Sequence, residues 1–255
     1  MTNPQATWLR HAGSRALDLL FPPNCVACGE DFATTADTLT DRTGICLSCR
    51  ERLPPIRWPV CQRCAARVPD IPGCTADCAH CREDKLWFDR ALALGEYEGF
   101  LQELLLRMKR DRSERLARAL GELLFDQLGD AVQELKPDLI APHPMHVLRR
   151  LTRGTNPPAV VAEVLGRRTG VPTAPWLLRR RRNTPLQLGL SRPGRFRNVR
   201  GEVTVRASYS LEAAHVLLVD DILTTGASCS EAARVLKRSG AAQVSVIVIG
   251  RTTIG

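Results

Sequence analysis

The chain has 255 residues, of which 44% are hydrophobic and 25% charged, and it carries a net charge of +9. This balance is typical of a soluble protein with a packed core in one or two domains. No run reaches the roughly 18 apolar residues that a membrane span needs, which excludes a membrane-spanning protein. The positive charge favours a polyanion, a phosphorylated ligand or an acidic surface as partner.

The first predicted element is a short amphipathic helix. Apolar residues recur at helical spacing between Trp8 and Leu20, and Arg10, Arg15 and Asp18 interrupt them, so the stretch has no secretory signal. We therefore predict a docking helix within residues 1–22 of a protein that stays in the cytoplasm. In that compartment clustered cysteines are reduced, which favours metal binding over disulfides.

Nine of the ten cysteines lie between Cys25 and Cys81, and eight of them form four pairs with two intervening residues. A tight turn of this length aims both thiolates at one cation. Gaps of 17 residues (Cys28 to Cys46) and 13 residues (Cys64 to Cys78) leave room for a short hairpin in each half. The pattern predicts a double zinc ribbon over residues 23–86 with two structural zinc sites, whose ligands are Cys25, Cys28, Cys46, Cys49, Cys61, Cys64, Cys78 and Cys81.

Several alternatives compete with this assignment. Disulfides or an iron–sulfur cluster are the other uses of such cysteines. Spacing also allows a crossed arrangement in which the first and third pairs share one ion, and Cys74 and His80 are spare donors near the second site. Gly29 and Gly44 stand where tight turns favour a positive φ.

Beyond residue 86, strand and helix patterns alternate. Buried apolar runs predict strands, and Leu or Ala at helical spacing predicts helices. Alternation of this kind predicts an α/β domain over 87–255, in which a parallel sheet is covered by helices on both faces and ligands bind at the carboxyl ends of the strands. The predicted strands are 91–97, 137–142, 215–220 and 243–250, and the predicted helices are 100–108, 112–128, 159–169 and 227–239.

The strongest chemical signal is VLLVDDILTTGAS at residues 216–228. A buried strand runs into Asp220 and Asp221, and small and hydroxyl residues then open a helix. A helix N-terminus of this kind cradles a phosphate. The carboxylates would repel that phosphate, so they suit vicinal sugar hydroxyls or a ligand-bound Mg²⁺. Together these features describe a ribose 5-phosphate site.

The motif resembles the 5-phosphoribosyl 1-diphosphate (PRPP) loop of type I phosphoribosyltransferases. With the cysteine pairs, DLIAPHPMH (138–146), RLTRGTN (150–156) and the segment 178–198, it makes the chain similar to the ComF family, which is associated with DNA uptake in natural competence. The resemblance implies a type I phosphoribosyltransferase-like fold, Mg²⁺ bound with PRPP, and ribose hydroxyls held by Asp220 and Asp221. It assigns the 5′-phosphate to Thr224, Thr225, Gly226, Ala227 and Ser228.

The same resemblance assigns the diphosphate to a loop formed by Pro142, His143 and Pro144, and a flexible covering loop to Arg153 and Gly154. This chain departs from the family at both places. RGTNP stands where the family usually has RGFNQ, and APHP where it has VPVP. Thr224 also replaces the carboxylate of purine-salvage enzymes, so the loop is closer to the orotate type.

A tract from Arg149 to Arg206 holds 14 arginines and only two acids. The planar guanidinium matches phosphate oxygens, so the run Arg179, Arg180, Arg181, Arg182 is a candidate contact for single-stranded DNA. Alternatively, these arginines form a solvated surface, or some of them contact the diphosphate of PRPP. Two functional hypotheses follow. The first is a PRPP-binding phosphoribosyltransferase-like protein that acts on an unknown acceptor. The second is a nucleic-acid-binding competence factor, with a partner in the competence machinery, in which the phosphoribosyl site is a sensor or a relic.

Overall fold

The computed structural model describes residues 24–32, 43–53, 59–69, 78–82, 86–110, 112–145, 154–181 and 191–252. The predicted docking helix within 1–22 lies outside these ranges, and the domain boundaries after residues 22 and 86 stay predictions. No helix within the described ranges is both long and apolar enough to cross a bilayer.

Seven helices and six strands are found in the described residues. In chain order they are α1 (Leu47–Glu51), α2 (Ala79–Arg82), β1 (Arg90–Glu96), α3 (Gly99–Arg110), α4 (Arg115–Leu135), β2 (Leu139–Pro142), α5 (Pro157–Thr169), β3 (Leu178–Arg180), α6 (Arg192–Val199), β4 (Val203–Val205), β5 (His215–Leu223), α7 (Ala227–Arg238) and β6 (Gln243–Arg251).

The core is a four-stranded parallel sheet in the order β1-β6-β5-β2. The central strand β6 is buried after its first residue, and β5 is buried over its first five residues, which explains their continuous apolar sequence there. The predicted parallel sheet with flanking helices is thus confirmed. The additional antiparallel pair β3–β4 was not predicted, since each strand has only three residues.

Helices α3, α4 and α5 cover one face of the sheet. Their leucines and valines pack against alternate strand residues such as Leu92, Leu217 and Ile247. The first ribbon joins this same cluster through Cys25 and Ile45. One face of the sheet therefore carries three helices and the first ribbon.

The opposite face is covered by α7, the β3–β4 pair and the second ribbon. Val216, Val246 and Val248 point to this side, where Phe88 and Leu236 pack against the same cluster. The two ribbons consequently lie on different faces of one sheet. This arrangement places the second ribbon on the face from which α7 begins.

The ends of the parallel strands meet at one edge. Pro142 at the end of β2 pairs with Val219, and Leu223 at the end of β5 pairs with Arg251 at the end of β6. The acidic pair of the VLLVDDILTTGAS motif follows Val219 directly. The fold therefore collects the motif and the β2 loop at the carboxyl edge, as the α/β pattern predicts.

Candidate functional site

The two ribbons repeat one backbone pattern. In each, the amide of the first cysteine, Cys25 or Cys61, donates to the carbonyl five residues later at 2.8 Å. The second pair of each ribbon lies at a short helix, because Cys46 is the N-cap of α1 and Cys78 directly precedes α2. The ribbons are therefore a structural repeat with the same cysteine placement.

Each ribbon gathers four sulfur atoms into one cluster. All sulfurs of a cluster lie within 4.8 Å of one another, in the sets Cys25, Cys28, Cys46, Cys49 and Cys61, Cys64, Cys78, Cys81. Consecutive pairs are thus brought together, and the crossed arrangement is not what the structure shows. The predicted positive φ is also found, at 84° for Gly29 and 64° for Gly44.

The sulfur geometry fits zinc. An ion with Zn–S bonds of about 2.3 Å at the centre of a tetrahedron holds its sulfurs about 3.8 Å apart. The Cys28 and Cys46 sulfurs are separated by 3.8 Å, and those of Cys64 and Cys78 by 3.5 Å. None of the eight cysteines forms a disulfide. The two tetrads are consistent with closed, structural zinc sites. The spare donors Cys74 and the side chain of His80 lie outside the residues that the structure describes.

Each tetrad also favours a thiolate. The hydrogen bond from the Cys64 thiol lowers the pKa of Cys61 to about 4 against the opposing effect of burial, and the pKa of Cys64 is raised in turn. Burial raises the pKa of Cys25, but backbone hydrogen bonds from Cys46, Cys28 and Ala27, together with the Cys28 thiol, lower it to about 7. Metal binding requires such deprotonated sulfurs.

The predicted phosphate loop follows β5 directly. β5 ends at Leu223, and Gly226 caps α7 with a φ of 80°, in the left-handed region. A Cβ at Gly226 would lie 3.3 Å from Leu86 and 3.4 Å from Phe88, so both conformation and space restrict the position to glycine. The first N–H groups of an α-helix are not used by the helix's own hydrogen bonds, so such a terminus suits an anion.

The hydroxyl residues of the loop lie around this turn. Thr224, Thr225 and Ser228 are half-buried, and the Thr225 hydroxyl accepts a hydrogen bond from the Ala227 amide at 3.4 Å. Ala227 itself is buried at the first position of α7. All five predicted phosphate-loop residues thus lie together, from the residue after β5 into the first turn of α7.

The two acids lie on β5 just before the loop. Burial raises the pKa of Asp221, as does the neighbouring Asp220, and both effects are opposed by Lys109. Lys109 Nζ lies 3.2 Å from Asp221 Oδ2. The Cys229 thiol, whose pKa burial raises well above its usual range, lies 3.5 Å from Asp220 Oδ2. One acid therefore faces a cation and the other a neutral donor.

The β2 loop lies beside these acids. The His143 amide donates to the Val219 carbonyl at 2.7 Å, and the His143 Nδ1 atom lies 4.0 Å from Asp220 Oδ2. The imidazole is only 7% exposed, and its Nε2 has no hydrogen-bond partner among the described residues. A buried polar atom of this kind is unusual in a protein core and suits a ligand contact.

The other residues assigned to the diphosphate are placed differently. Pro142 and Pro144 are buried on either side of His143, whereas Gly154 is exposed with a φ of 80°. Arg153 lies within 146–153, outside the described residues. The structure therefore brings the β2 loop to the acids and leaves the covering loop a prediction.

Sequence patterns missed three residues of this region. Lys109 comes from α3, and no motif spacing connects that helix to Asp221. Phe88 packs against Gly226. The sequence around Phe88 gives no sign of this contact, because the phosphate loop lies far away along the chain. Arg251 had a usable signal, because it is a lone charge at the end of a buried apolar strand.

The arginine run divides along β3. Arg179 and Arg181 are exposed, whereas Arg180 is half-buried and donates to the buried Glu202 carboxylate at 2.9 Å. Arg182 lies outside the described residues. Successive strand residues point to opposite sides, so the run cannot present all its guanidinium groups to one ligand.

An exposed aromatic lies near the same strand pair. Trp176 is 48% exposed, and the guanidinium carbon of Arg206 lies 5.8 Å from the centre of its ring. The Arg206 amide donates to the Leu177 carbonyl, which fixes the residue after β4 against the residue before β3. We name the surface formed by Trp176, Arg179, Arg181 and Arg206 the arginine surface.

Two family models match the chain. Residues 16–82 match the double zinc ribbon domain, and residues 148–252 match the phosphoribosyl transferase domain. The two matches fall on the cysteine tetrads and on the loop between β5 and α7.

Curated relatives match over most of their length. The chain is 30% identical over 223 residues to DNA utilization protein YhgH of Salmonella typhimurium, covering 82% of this chain and 97% of that protein. It is 26% identical over 220 residues to Competence protein F of Haemophilus influenzae, covering 81% and 96%. Competence protein ComFC of Bacillus subtilis is 26% identical over 238 residues, covering 89% and 95%.

Proposed function

The chain belongs to the ComF family of double-zinc-ribbon, phosphoribosyltransferase-like proteins, and on that premise we propose that it binds PRPP at the carboxyl end of β5. One juxtaposition carries the proposal. Two half-buried acids lie near the carboxyl end of β5, and a helix N-terminus capped by a left-handed glycine follows them within a few residues. Anion and diol recognition are thereby combined at a single strand end.

The proposed roles follow from the chemistry of each group. The amides of the first turn of α7, with the hydroxyls of Thr225 and Ser228, bind the 5-phosphate. Asp220 and Asp221 accept hydrogen bonds from the ribose hydroxyls, and His143 faces the diphosphate. Mg²⁺ bound with PRPP would supply the positive charge that lets diphosphate approach two carboxylates. Arg153 and Gly154 are proposed to cover the bound diphosphate.

The reaction that such a site supports is phosphoribosyl transfer. The bond between C1 of the ribose and the diphosphate oxygen breaks, and diphosphate leaves with the electron pair. The acceptor nucleophile forms the new bond to C1, and its proton passes to the departing diphosphate or to water. Thr224 has no carboxylate with which to take that proton, which disfavours the purine acceptors of salvage enzymes that use an acid there.

Calorimetry with PRPP and Mg²⁺ tests the proposal. We expect saturable binding to the wild type and loss of that binding in the double variant Asp220→Ala with Asp221→Ala. Asp130→Ala, which changes an exposed acid on α4, serves as the matched control and should bind like the wild type. No heat with the wild type, or unchanged heat with the double variant, would overturn the proposal.

A second candidate function is binding of single-stranded DNA at the arginine surface. An exposed tryptophan beneath a guanidinium is the arrangement on which bases stack, and Arg179 and Arg181 add exposed charges for the phosphates. Relatives named for competence and DNA utilization accord with this role and with a partner in the competence machinery. A cytoplasmic location for this function is supported by the clustered reduced cysteines.

Fluorescence anisotropy with a labelled oligonucleotide tests this second function. Affinity should fall steeply between about 50 and about 200 mM salt, because each neutralised phosphate releases counterions. The triple variant Trp176→Ala, Arg179→Ala and Arg181→Ala should bind more weakly, whereas Arg167→Ala on α5, an exposed arginine elsewhere, should not. Salt-insensitive or absent binding would reject the assignment.

A further inference from the structure

The side chain of Arg251 is buried at the end of β6, only 4% exposed, although it carries a full charge. Backbone carbonyl oxygens surround its guanidinium. Nε donates to the Cys64 carbonyl at 2.8 Å, and Nη1 donates to the carbonyls of Leu223 at 2.9 Å and Thr224 at 2.6 Å. Hydrogen bonds from a charged donor are the strong ones, and here they are shielded from water.

These carbonyls belong to two different parts of the molecule. Cys64 is a member of the second tetrad, whereas Leu223 ends β5 and Thr224 begins the phosphate loop. One planar guanidinium therefore fixes the position of the metal ribbon relative to the loop. A lysine, with its single nitrogen, cannot reproduce this forked contact.

A second set of contacts joins the same two parts. The segment after the second tetrad places Leu86 and Phe88 directly beneath Gly226. The amide of Trp87 donates to the Ser230 hydroxyl on α7 at 3.0 Å, and the Arg63 guanidinium holds the Leu86 carbonyl at 3.1 Å. The underside of the phosphate loop thus rests on the segment that follows the second ribbon, and Arg63 ties that segment to the ribbon.

The first ribbon provides the contrast. Its carbonyls are held by a different arginine, Arg107 of α3, which donates to Ala27 at 2.7 Å and also to Val26. That contact lies in the cluster on the other face of the sheet. The first tetrad is therefore anchored to helices, whereas the second is anchored to the loop.

We propose that Arg251 is a positioning residue for the phosphate loop and that it couples the second tetrad, unlike the first, to ligand binding there. The ligand part rests on the proposed function. Coupling between two sites is reciprocal: metal in the second tetrad strengthens ligand binding in the loop, and bound ligand holds that metal more tightly by the same factor.

Backbone hydrogen exchange tests the support of the loop without any ligand. In the full chain, Arg251→Met should speed exchange of the amides of residues 225–229, and Arg251→Lys should restore part of the protection. The matched control Arg107→Met should leave those amides unchanged. Equal protection in Arg251→Met and Arg107→Met would overturn the positioning role.

Removing one metal at a time extends this comparison. Cys78→Ser with Cys81→Ser should speed exchange in residues 225–229, whereas Cys46→Ser with Cys49→Ser should not. The cysteines removed from each ribbon are the equivalent pair of the repeat. Similar exchange in both double variants would overturn the coupling of the second tetrad.

Metal release from the wild type tests the link to the ligand and needs no folded variant. With a chromophoric zinc chelator, PRPP and Mg²⁺ should slow release of one of the two ions by about fivefold or more, the usual range of coupling between sites. Mg²⁺ alone is the control. Unchanged release by a protein that calorimetry shows to bind PRPP would overturn the coupling. Absence of PRPP binding would instead overturn the proposed function and leave hydrogen exchange to decide the role of Arg251.

Discussion

The two cysteine tetrads share one backbone design but lie in different surroundings. In the first, Cys28 is exposed and Cys46 half-buried, whereas all four cysteines of the second are buried. The first packs on α3 and α4, and the second packs beneath the phosphate loop. Two metal sites with the same four ligands can therefore stabilise different parts of a protein, because each acts through the segments that pack against its ribbon.

Removal of metal should change the stability of the two ribbons more than any other perturbation. Structural zinc contributes on the order of 10–16 kcal/mol of apparent binding free energy in small ribbons, so elemental analysis should find two ions per chain. A chromophoric chelator should take the ion of the first tetrad before that of the second, because Cys28 is open to attack. Cys28→Ser should abolish the fast phase of the absorbance change.

Release in a single phase, or a fast phase that survives Cys28→Ser, would contradict this order. Cys64→Ser is the matched variant in the second ribbon. It should remove the slow phase and leave the fast one.

Core truncations beside each ribbon come next, because Ile45 packs with the first tetrad and Phe88 packs with the second. Phe88→Ala should lower the free energy of unfolding by about 3–5 kcal/mol and Ile45→Ala by about 2–5 kcal/mol, because both side chains are almost fully buried. Only Phe88→Ala should also weaken PRPP binding, since Phe88 lies beneath Gly226. Denaturant unfolding and calorimetry on the two variants measure these effects, and equal loss of PRPP binding would contradict the contrast.

Much of the fold was accessible from the sequence. The central strands are buried on both faces, so their sequences are continuous apolar runs that predict strands. The tetrads could be predicted from cysteine pairs at a fixed spacing. The phosphate loop combines acids, hydroxyls and glycine within one stretch of chain. Such features can be predicted from local sequence patterns because residues that are close in sequence are also close in the folded structure.

The rest depends on contacts between distant parts of the chain. No local pattern brings Lys109 to Asp221 or places the two ribbons on opposite faces of the sheet. In the arginine run, composition cannot distinguish Arg180, which pairs with Glu202, from the exposed Arg179. That distinction comes from strand alternation in β3, whose three residues are too few to show a period.

A glycine substitution compares the repeated turns. Gly29 in the first ribbon has a φ of 84°, and the equivalent residue of the second, Ala65, keeps a φ of 54°. A Cβ at Gly29 meets no atom within 4 Å, so Gly29→Ala should cost only the conformational term of about 1 kcal/mol. Gly226→Ala should cost more in thermal unfolding because its Cβ would also crowd Leu86 at 3.3 Å, and equal costs would contradict the tight packing under the loop.

The smallest expected effect is electrostatic. Because the pKa of Asp221 is raised in the folded protein, its charge destabilises the fold once the pH rises above the unfolded pKa of 3.8. Asp221→Asn should therefore raise Tm at pH 7 by about 2–4 °C, the equivalent of roughly 1 kcal/mol. The gain should disappear as the pH falls below 3.8.

Glu30→Gln is the control for this change, because Glu30 is an exposed acid beside Cys28 of the first ribbon. It should leave the free energy of unfolding within about 0.5 kcal/mol at either pH. A loss of stability in Asp221→Asn at pH 7 would show that the ion pair with Lys109 outweighs burial and the repulsion from Asp220.

A crystal structure of the full chain with PRPP and Mg²⁺ tests the central claim most directly. The account predicts the 5-phosphate on the first amides of α7, the ribose hydroxyls at Asp220 and Asp221, and the Arg251 guanidinium joining the loop to the second tetrad. Phosphate bound at the arginine surface, with the loop between β5 and α7 left empty, would contradict it.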